Sequence, residues 1–355
     1  DVPNRRALVE AGCVNAWITR EVQGHGLYYA PDPSSQSACT IGGNVATNSG
    51  GPHTLKQGVT TNHVLGLEMI TIDGERVWLG TTPEGGEDVD GYDLRGVVIG
   101  CEGMFGIVTQ VLVKLLPAPE SFKTFLGIFE TVDDASQTVS DIIRAGIVPG
   151  AMEMMDQMIT QAIESAYQFG FPLDAGAVLI IELDGLQSGI ESQAERVRSL
   201  CEANGAREVR LAQSDKERAA LWKCRKRAFG AIGRLSPNFL TQDGVVPRSK
   251  LPEIMEFIAS TSRRYDLRIP NVFHAGDGNI HPLVLYDERD PDQVTRAVAA
   301  GHDILDKCIA LGGSVSGEHG IGVEKIDLMA KQFTTDDLNA MKRLRLVFDP
   351  DQRCN

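Results

Sequence analysis

A chain of 355 residues is long enough for two domains with separate cores, and its make-up, 42% hydrophobic and 23% charged, is that of a globular protein rather than a disordered or collagen-like one. Lys+Arg of 34 against Asp+Glu of 48 leave a formal net charge of -14, which argues against a nucleic-acid groove and requires a local basic pocket for any small anionic substrate. The seven cysteines include no Cys-x-x-Cys pair and lie among apolar or small residues, the pattern of reduced thiols in a cytosolic protein. No signal-peptide pattern opens the sequence, and apolar runs such as 175–181 are far too short to span a bilayer, so membrane association is expected only through a partner.

Both ends read as cut. The chain begins at Asp1 without a methionine, enters a helical pattern at 5–11, and stops at 348–355 with no closing element. The first third is glycine-rich with short apolar strands. Residues 66–79 alternate apolar and polar around Asp73-Gly74, a short-range hairpin signal. Residues 106–116 read as a further strand, ended by Pro117 and Pro119, and those prolines place a linker near 117–121 and divide the chain into domains 1–118 and 119–355. Beyond it the pattern predicts a strand at 122–129, a helix at 132–145, a strand at 176–183 and an amphipathic helix at 189–204 ended by Gly205. A charged helix at 215–233 comes next, then an irregular stretch to Pro252, a helix to Tyr265, a strand at 271–274 and a helix at 291–311. Strands alternating with helices in this way predict an α+β sandwich.

The chemistry gathers in two glycine-framed segments, His274-Ala-Gly-Asp-Gly-Asn-Ile-His281 and Gly317-Glu-His-Gly320. A helix carrying both outer histidines is implausible with Gly276, Gly278 and Pro282 present, and a single strand would put them on opposite faces. A hairpin turning at Asp277-Gly278 lets both point at one centre. Two His with Glu318 form a common shell for a catalytic divalent metal, and His319, adjacent but turned away, is then available as a base near neutral pH. Taken singly, any one of these histidines is more often a hydrogen-bonded structural residue than a functional one, and glycine neighbours alone prove only turns. It is the clustering of three of the seven histidines in two short segments that argues for a shared site.

A second stretch, Cys39-Thr-Ile-Gly-Gly-Asn-Val-Ala-Thr-Asn-Ser-Gly-Gly51, contains no charged or large aromatic side chain and comes after Pro31-Asp-Pro33. Small residues with accessible backbone N–H groups, hydroxyls and amides suit a flat heteroaromatic cofactor or a phosphate, as does Gly100-Cys-Glu-Gly-Met-Phe-Gly-Ile-Val108; tight turns alone would account for the glycines as well. No Gly-x-Gly-x-x-Gly opens a helix after a strand and no P-loop lysine is present, so neither a Rossmann nor a P-loop site is indicated.

These two glycine segments, together with Lys56-Gln-Gly58, Gly91-Tyr-Asp-Leu94, the 274–281 motif and residues 316–325, resemble the FAD-linked oxidases of the vanillyl-alcohol oxidase (PCMH-type) superfamily, in particular the group that contains the D-type subunits of glycolate oxidase and the D-lactate dehydrogenases. The resemblance implies an α+β fold: the later part of a PCMH-type FAD-binding domain over 1–118, then a substrate or cap domain built as an α+β sandwich with an antiparallel sheet. It places Pro31, Asp32, Gly42, Gly43, Asn44, Thr47, Asn48 and Ser49 along FAD, with Glu102, Gly103 and Ile107 closing over it and Asn355 as a further cofactor contact. It places a divalent metal (zinc, manganese or iron) on His274, His281 and Glu318, a substrate-carboxylate arginine at Arg225 and a base at His319. Residue by residue, Arg225 is otherwise one of several charges in Trp222-Lys-Cys-Arg-Lys-Arg227.

The implied reaction oxidises a small anionic 2-hydroxy acid, with Arg225 on the carboxylate, the metal on the hydroxyl, His319 taking its proton and hydride passing to flavin N5. Relatives carry an earlier glycine-rich loop for the FAD pyrophosphate that has no counterpart in this sequence, which implies weak or absent FAD binding by this stretch alone. Thr241 and Leu283 stand where the hydroxyglutarate branch has lysine and asparagine, so glycolate or D-lactate is expected over a dicarboxylate. An iron–sulfur electron-transfer subunit of a glycolate oxidase complex is the implied partner. Two other readings stay open: a metal-dependent hydrolase built on the same histidines, and a non-catalytic subunit of a multi-chain oxidase.

Overall fold

The computed structural model describes residues 1–85 and 91–354. They form two compact units: Asp1–Ala118 with Glu318–Asn355, and Pro119–Gly317. The chain leaves the first unit where Pro117 and Pro119 are spaced in the sequence, but it also returns to it at Glu318, whereas a division at 118/119 alone assigns everything after it to one domain. The return has a packing reason, since Phe348 stacks on Phe105 at 4.6 Å between ring centroids and joins the first unit's core.

In the first unit, strands β1 (Arg6–Glu10), β3 (Val64–Ile70), β4 (Arg76–Gly80) and β5 (Ile107–Lys114) form an antiparallel sheet in the order β1-β5-β3-β4, and β2 (Leu27–Tyr28) pairs with β6 (Leu116–Pro117). Helices α1 (Asn15–Val22), α2 (Ile41–Thr47), α3 (Thr54–Gln57) and α4 (Leu94–Val98) lie in the intervening segments. The β3–β4 hairpin turns at Gly74, whose φ of 82° suits glycine, as the Asp73-Gly74 pair predicts. The helix expected at 5–11 is instead β1. Ala7 and Val9 pack on the core while Leu8 is exposed, an alternation of period two, and the pairing with β5 supplies the backbone partners a lone helix would have made internally. After the second unit come α12 (Ile326–Gln332) and α13 (Thr335–Phe348), and residues 349–354 carry no further helix or strand.

The second unit is an eight-stranded antiparallel sheet with helices on its faces. Its strands are β7 (Ser121–Phe129), β8 (Ala151–Asp156), β9 (Ala177–Gly185), β10 (Glu208–Leu211), β11 (Asn238–Thr241), β12 (Gly244–Val245), β13 (Asn271–His274) and β14 (Asn279–Tyr286). Their order is β10-β7-β9-β8-β13-β14-β11, with β12 also on β14. The helices are α5 (Val132–Arg144), α6 (Gln157–Tyr167), α7 (Gln187–Ala203), α8 (Asp215–Lys226), α9 (Ala228–Ile232), α10 (Leu251–Tyr265) and α11 (Pro291–Ala310). Covered strands read as continuous apolar runs, and Ala177 to Leu183 of β9 are all buried. Several elements differ from the sequence pattern: β8, α6 and β10 fall where no element is expected, the helix expected at 215–233 breaks at Arg227 into α8 and α9, and the irregular stretch before Pro252 contains β11 and β12, held on β14.

One face of this sheet carries the buried polar groups. In the antiparallel registers Thr124 lies opposite Glu182, Ala151 opposite Glu182, Glu153 opposite Ile180, His274 opposite Glu153 and Val272 opposite His281. Paired residues share a face, as do residues two apart on one strand, so Thr124, Glu182, Glu153, His274 and His281 all stand on the same side of the sheet. That side is covered by α6, α8 and α9 through a core that includes Ile163, Cys224, Ala228 and Ile232.

Candidate active site

The hairpin inferred from Asp277-Gly278 is present as β13–β14. Gly278 turns with φ of 82°, and a Cβ there would overlap the Val246 carbonyl oxygen. The registers put His274 and His281 side by side, with ring centroids 5.1 Å apart and the rings at 90°. Both are buried, at 3% and 2% exposure. Each ring has its Nδ1 on an acceptor: His274 on Glu153 Oε1 at 2.7 Å, and His281 on the Gln242 carbonyl oxygen at 3.3 Å. A carbonyl accepts only, and an ionised carboxylate likewise, so both Nδ1 atoms donate and carry a proton, which makes Nε2 the nitrogen that a neutral ring would offer to a metal. Hydrogen bonds from behind fix the orientation of both rings.

Glu153 is the centre of the buried network. Its Oε2 accepts from Arg225 Nε at 2.6 Å while its Oε1 holds His274, and Glu153 and Arg225 are 0% and 1% exposed. Burial pushes the Glu153 carboxyl up, but the facing charges of His274 and Arg225 and their hydrogen bonds outweigh it and hold the group below its ordinary value. Arg225 Nη1 and Nη2 are buried with no hydrogen-bond partner among the described residues. Two orphaned guanidinium nitrogens are costly to leave so, and their fixed fork is complementary to the two oxygens of a carboxylate.

Arg225 is placed by α8. Arg218, Trp222 and Arg225 keep the helical spacing that sets one face toward the sheet. Glu182 on β9 takes the first two: its carboxylate accepts from Arg218 Nε at 2.8 Å and Nη2 at 2.7 Å, from Trp222 Nε1 at 2.6 Å and from Thr124 Oγ1 at 2.7 Å. Sequence patterning singles out neither Glu153 nor Glu182. The one available signal is an acid inside an apolar strand run, Met152-Glu-Met154 and Ile181-Glu-Leu183, where a buried carboxylate requires partners.

Asp243, fully buried, anchors the end of the second unit. Its Oδ1 accepts from Asn279 Nδ2 at 2.9 Å and lies 4.0 Å from His281 Nδ1, and its Oδ2 accepts from Ser316 Oγ at 2.7 Å and Gly317 N at 3.0 Å. Gly317 has no alternative residue at this packing, because a Cβ would overlap Asn279 Nδ2. Glu318 and His319 come next in the chain, in the first unit, with His319 Nε2 3.9 Å from Glu318 Oε1 and the His319 and Glu318 side chains 45% and 12% exposed respectively.

The residues expected along the flavin lie in the first unit. A Cβ on Gly50 would stand 2.6 Å from Thr54 Oγ1 and 3.2 Å from Glu318 Oε2, so this glycine lets Glu318 approach the small-residue segment. Glu102 accepts from Ile321 N at 2.7 Å and Gly322 N at 2.8 Å, which ties the second glycine segment to the loop after His319. Several of the expected contacts are engaged within the protein: Pro31 O accepts from Asn15 Nδ2, Asp32 faces His53, Asn44 donates to Asn15, Asn48 accepts from Thr61, and Ser49 Oγ meets Thr60 Oγ1. Thr47 Oγ1 lies 3.5 Å from the Gly43 carbonyl oxygen, and Gly42 is required by Ala11, whose Cβ would be 2.8 Å from its own. The features that fit a large planar ligand are the exposed Gly43, the open space beside Gly103, the 67% exposed Ile107 and the buried, unpartnered Thr54 Oγ1. Asn355 lies outside the described residues.

The fold and these segments define a flavin-dependent oxidoreductase, and residues 118–355 match the family model "FAD linked oxidases, C-terminal domain" while residues 1–80 match "FAD binding domain". The chain belongs to the FAD-linked oxidases. It is 48% identical over 351 residues to the glycolate oxidase subunit GlcD of Escherichia coli (strain K12), which covers 99% of this chain and 70% of that protein. It is 30% identical over 363 residues to a D-lactate dehydrogenase of Anaerostipes hadrus, covering 100% of this chain and 76% of that one. Among solved structures, p-cresol methylhydroxylase with substrate bound superposes with a TM-score of 0.79 at 17% identity over 99% of this chain and 75% of that one, a likeness of fold alone. Among the described residues, no helix is long and apolar enough to cross a membrane.

Proposed function

We propose that this chain carries the catalytic machinery of an FAD-dependent dehydrogenase for a small 2-hydroxy acid, glycolate or D-lactate, giving the 2-oxo acid. The observation that carries the reading is Arg225: a buried guanidinium, held at Nε by Glu153, with both Nη nitrogens buried and without partners. A substrate carboxylate satisfies both in one bidentate contact and supplies a second negative charge beside that of Glu153. The relatives are named for glycolate and D-lactate, acids of this size.

His274 and His281 would hold a divalent metal through Nε2, with Glu318 as third ligand, because Gly317 is fixed by Asp243 beside His281 and Glu318 is the next residue. When bound, FAD supplies the hydride acceptor and the metal a Lewis acid toward the substrate hydroxyl. Arg225 orients the acid by its carboxylate, and His319, more exposed than the other two histidines, takes the hydroxyl proton. Electrons leave to a partner, an iron–sulfur subunit in the glycolate oxidase reading.

The test is steady-state oxidation of glycolate and D-lactate by the purified, FAD-loaded protein with an artificial dye acceptor. His319→Ala keeps flavin absorbance and loses turnover; retained turnover removes His319 as the base. Arg225→Met raises KM for both acids by about 100-fold or more, the loss of a charge-assisted bidentate contact of about 3 kcal/mol. An unchanged KM would refute the carboxylate assignment.

A further inference from the structure

We propose that Glu153 is a positioning residue that sets two functional groups at once, holding the fork of Arg225 and the tautomer of His274 with its two carboxylate oxygens. The proposal rests on the reading of Arg225 as the substrate-carboxylate group and of His274 as a metal ligand. It goes beyond that reading, because Glu153 itself touches neither substrate nor metal in it.

The division of labour is explicit in the geometry. Oε2 takes Arg225 Nε at 2.6 Å, so the guanidinium is gripped by its inner nitrogen and the two outer nitrogens are left for something else. Oε1 takes His274 Nδ1 at 2.7 Å, which holds a ring proton on Nδ1 and leaves Nε2 as the ligating nitrogen of the neutral ring, in a ring that packs edge-on to His281. The carboxylate is fully buried on β8, with His274 opposite it in the β8–β13 register, so it has no rotameric freedom to serve one partner and then the other. Arg225 and His274 come from α8 and β13, elements with no sequence proximity, and Glu153 is the atom-level link between them.

Glu182 is a built-in comparison. It is a buried carboxylate on the adjacent strand and the same sheet face, and it grips the same helix one and two turns earlier, at Trp222 and Arg218. A purely structural need to fasten α8 would be shared by both acids. The joint grip on Arg225 and His274 is the part that belongs to Glu153.

Glutamine at 153 exposes the difference through hydrogen-bond arithmetic. Its carbonyl oxygen accepts from one partner, and its NH2 group then faces the other. With the oxygen on Arg225 Nε, the NH2 donates to His274 Nδ1 and forces the proton onto Nε2, where it blocks ligation. With the oxygen on His274, the NH2 opposes Arg225 Nε–H and displaces the fork. Either way one function is lost.

The experiment measures zinc affinity of the purified protein by competition with a chromophoric chelator, together with KM for glycolate and the thermal midpoint, for the parent, Glu153→Gln, Glu182→Gln and His274→Ala. Glu153→Gln is expected to weaken zinc by about 10- to 100-fold or to raise KM by a similar factor, and Glu182→Gln to lower the midpoint while keeping parental zinc affinity. Parental zinc affinity and KM in Glu153→Gln overturn the proposal, as does an equal loss of zinc in Glu182→Gln. Parental zinc affinity in His274→Ala overturns the metal reading itself, and the proposal with it, which separates the two failures. If Glu153→Gln does not fold, Glu153→Asp is measured instead: it keeps the charge but is one methylene too short to hold both partners, and parental zinc affinity and KM there overturn the proposal equally.

Discussion

Replacing Glu182 by alanine isolates the energetics of the buried carboxylate that fastens α8. It accepts hydrogen bonds from Thr124 Oγ1 at 2.7 Å, Trp222 Nε1 at 2.6 Å, and Arg218 Nε and Nη2 at 2.8 and 2.7 Å. Arg218 is 29% exposed along its side chain and stacks 3.8 Å from the Phe122 ring centroid, so it returns partly to water and retains its aromatic contact; its share is at most about 1 kcal/mol. The Thr124 hydroxyl and Trp222 indole stay buried, and a buried donor deprived of its acceptor costs about 1–3 kcal/mol. Glu182→Ala is therefore expected to destabilise the fold by about 2–7 kcal/mol, a large part of the roughly 5–15 kcal/mol that domains possess. In a unit of this size each kcal/mol moves the midpoint by about 2–4 °C, which predicts a fall of between about 4 and 28 °C. Urea unfolding followed by far-UV circular dichroism gives the free energy directly. Glu182→Gln, which keeps one acceptor oxygen, should lie between parent and Glu182→Ala. A loss below about 1 kcal/mol for the alanine variant would show that these bonds are replaced by water and that α8 is held by its apolar contacts instead.

Two further outcomes are expected. Burial pushes the Asp156 carboxyl up to about 6, against the lowering by its hydrogen bonds from Ile159 N and Asn271, whereas in the unfolded chain it is near 3.9 at about the model-peptide value. The folded form thus binds a proton that the unfolded form has released, so the stability from this group is fully present below about pH 4 and is lost as pH rises through about 6. Parent should lose about 3 kcal/mol relative to Asp156→Asn between pH 4 and pH 7 in urea titrations at stepped pH, and a difference that does not vary with pH would contradict it. None of the seven cysteines is in a disulfide, and burial pushes the Cys201 thiol up to about 12 and the Cys224 thiol higher still, while Cys13, Cys39 and Cys354 are half-buried. A thiol reagent at pH 8 should label those three before Cys101, Cys201, Cys224 and Cys308, as peptide mapping after a short pulse would show; early labelling at 201 or 224 would mean that the second unit's core opens under native conditions.

Local signals carried a good part of the architecture. The Asp73-Gly74 and Asp277-Gly278 turns are hairpins because glycine there adopts φ near 82°, a conformation dictated by chain sterics and therefore visible in the residues themselves. The strand at Asn271–His274 and the helices near 132–144 and 291–310 arise from periodicity and punctuation for the same reason. The odd spacing of His274 and His281, incompatible with one straight strand, is enough to bring the two rings together once the turn is recognised.

What escaped the sequence depended on partners distant along the chain. β1 is mistaken for a helix because five residues are too few to separate one period from another, and its pairing with Ile107–Lys114 decides the matter. The return of Glu318–Asn355 to the first unit is decided by Phe348 meeting Phe105, a contact no local pattern announces. The role of Glu153 is hidden for a stronger reason. A lone acid between methionines has no meaning until the fold brings Arg225 from α8 and His274 from β13 onto its two oxygens, since the residue types that can carry chemistry are written in the sequence but the desolvation and pairing that give them their charge, tautomer and reach exist only in the packed structure.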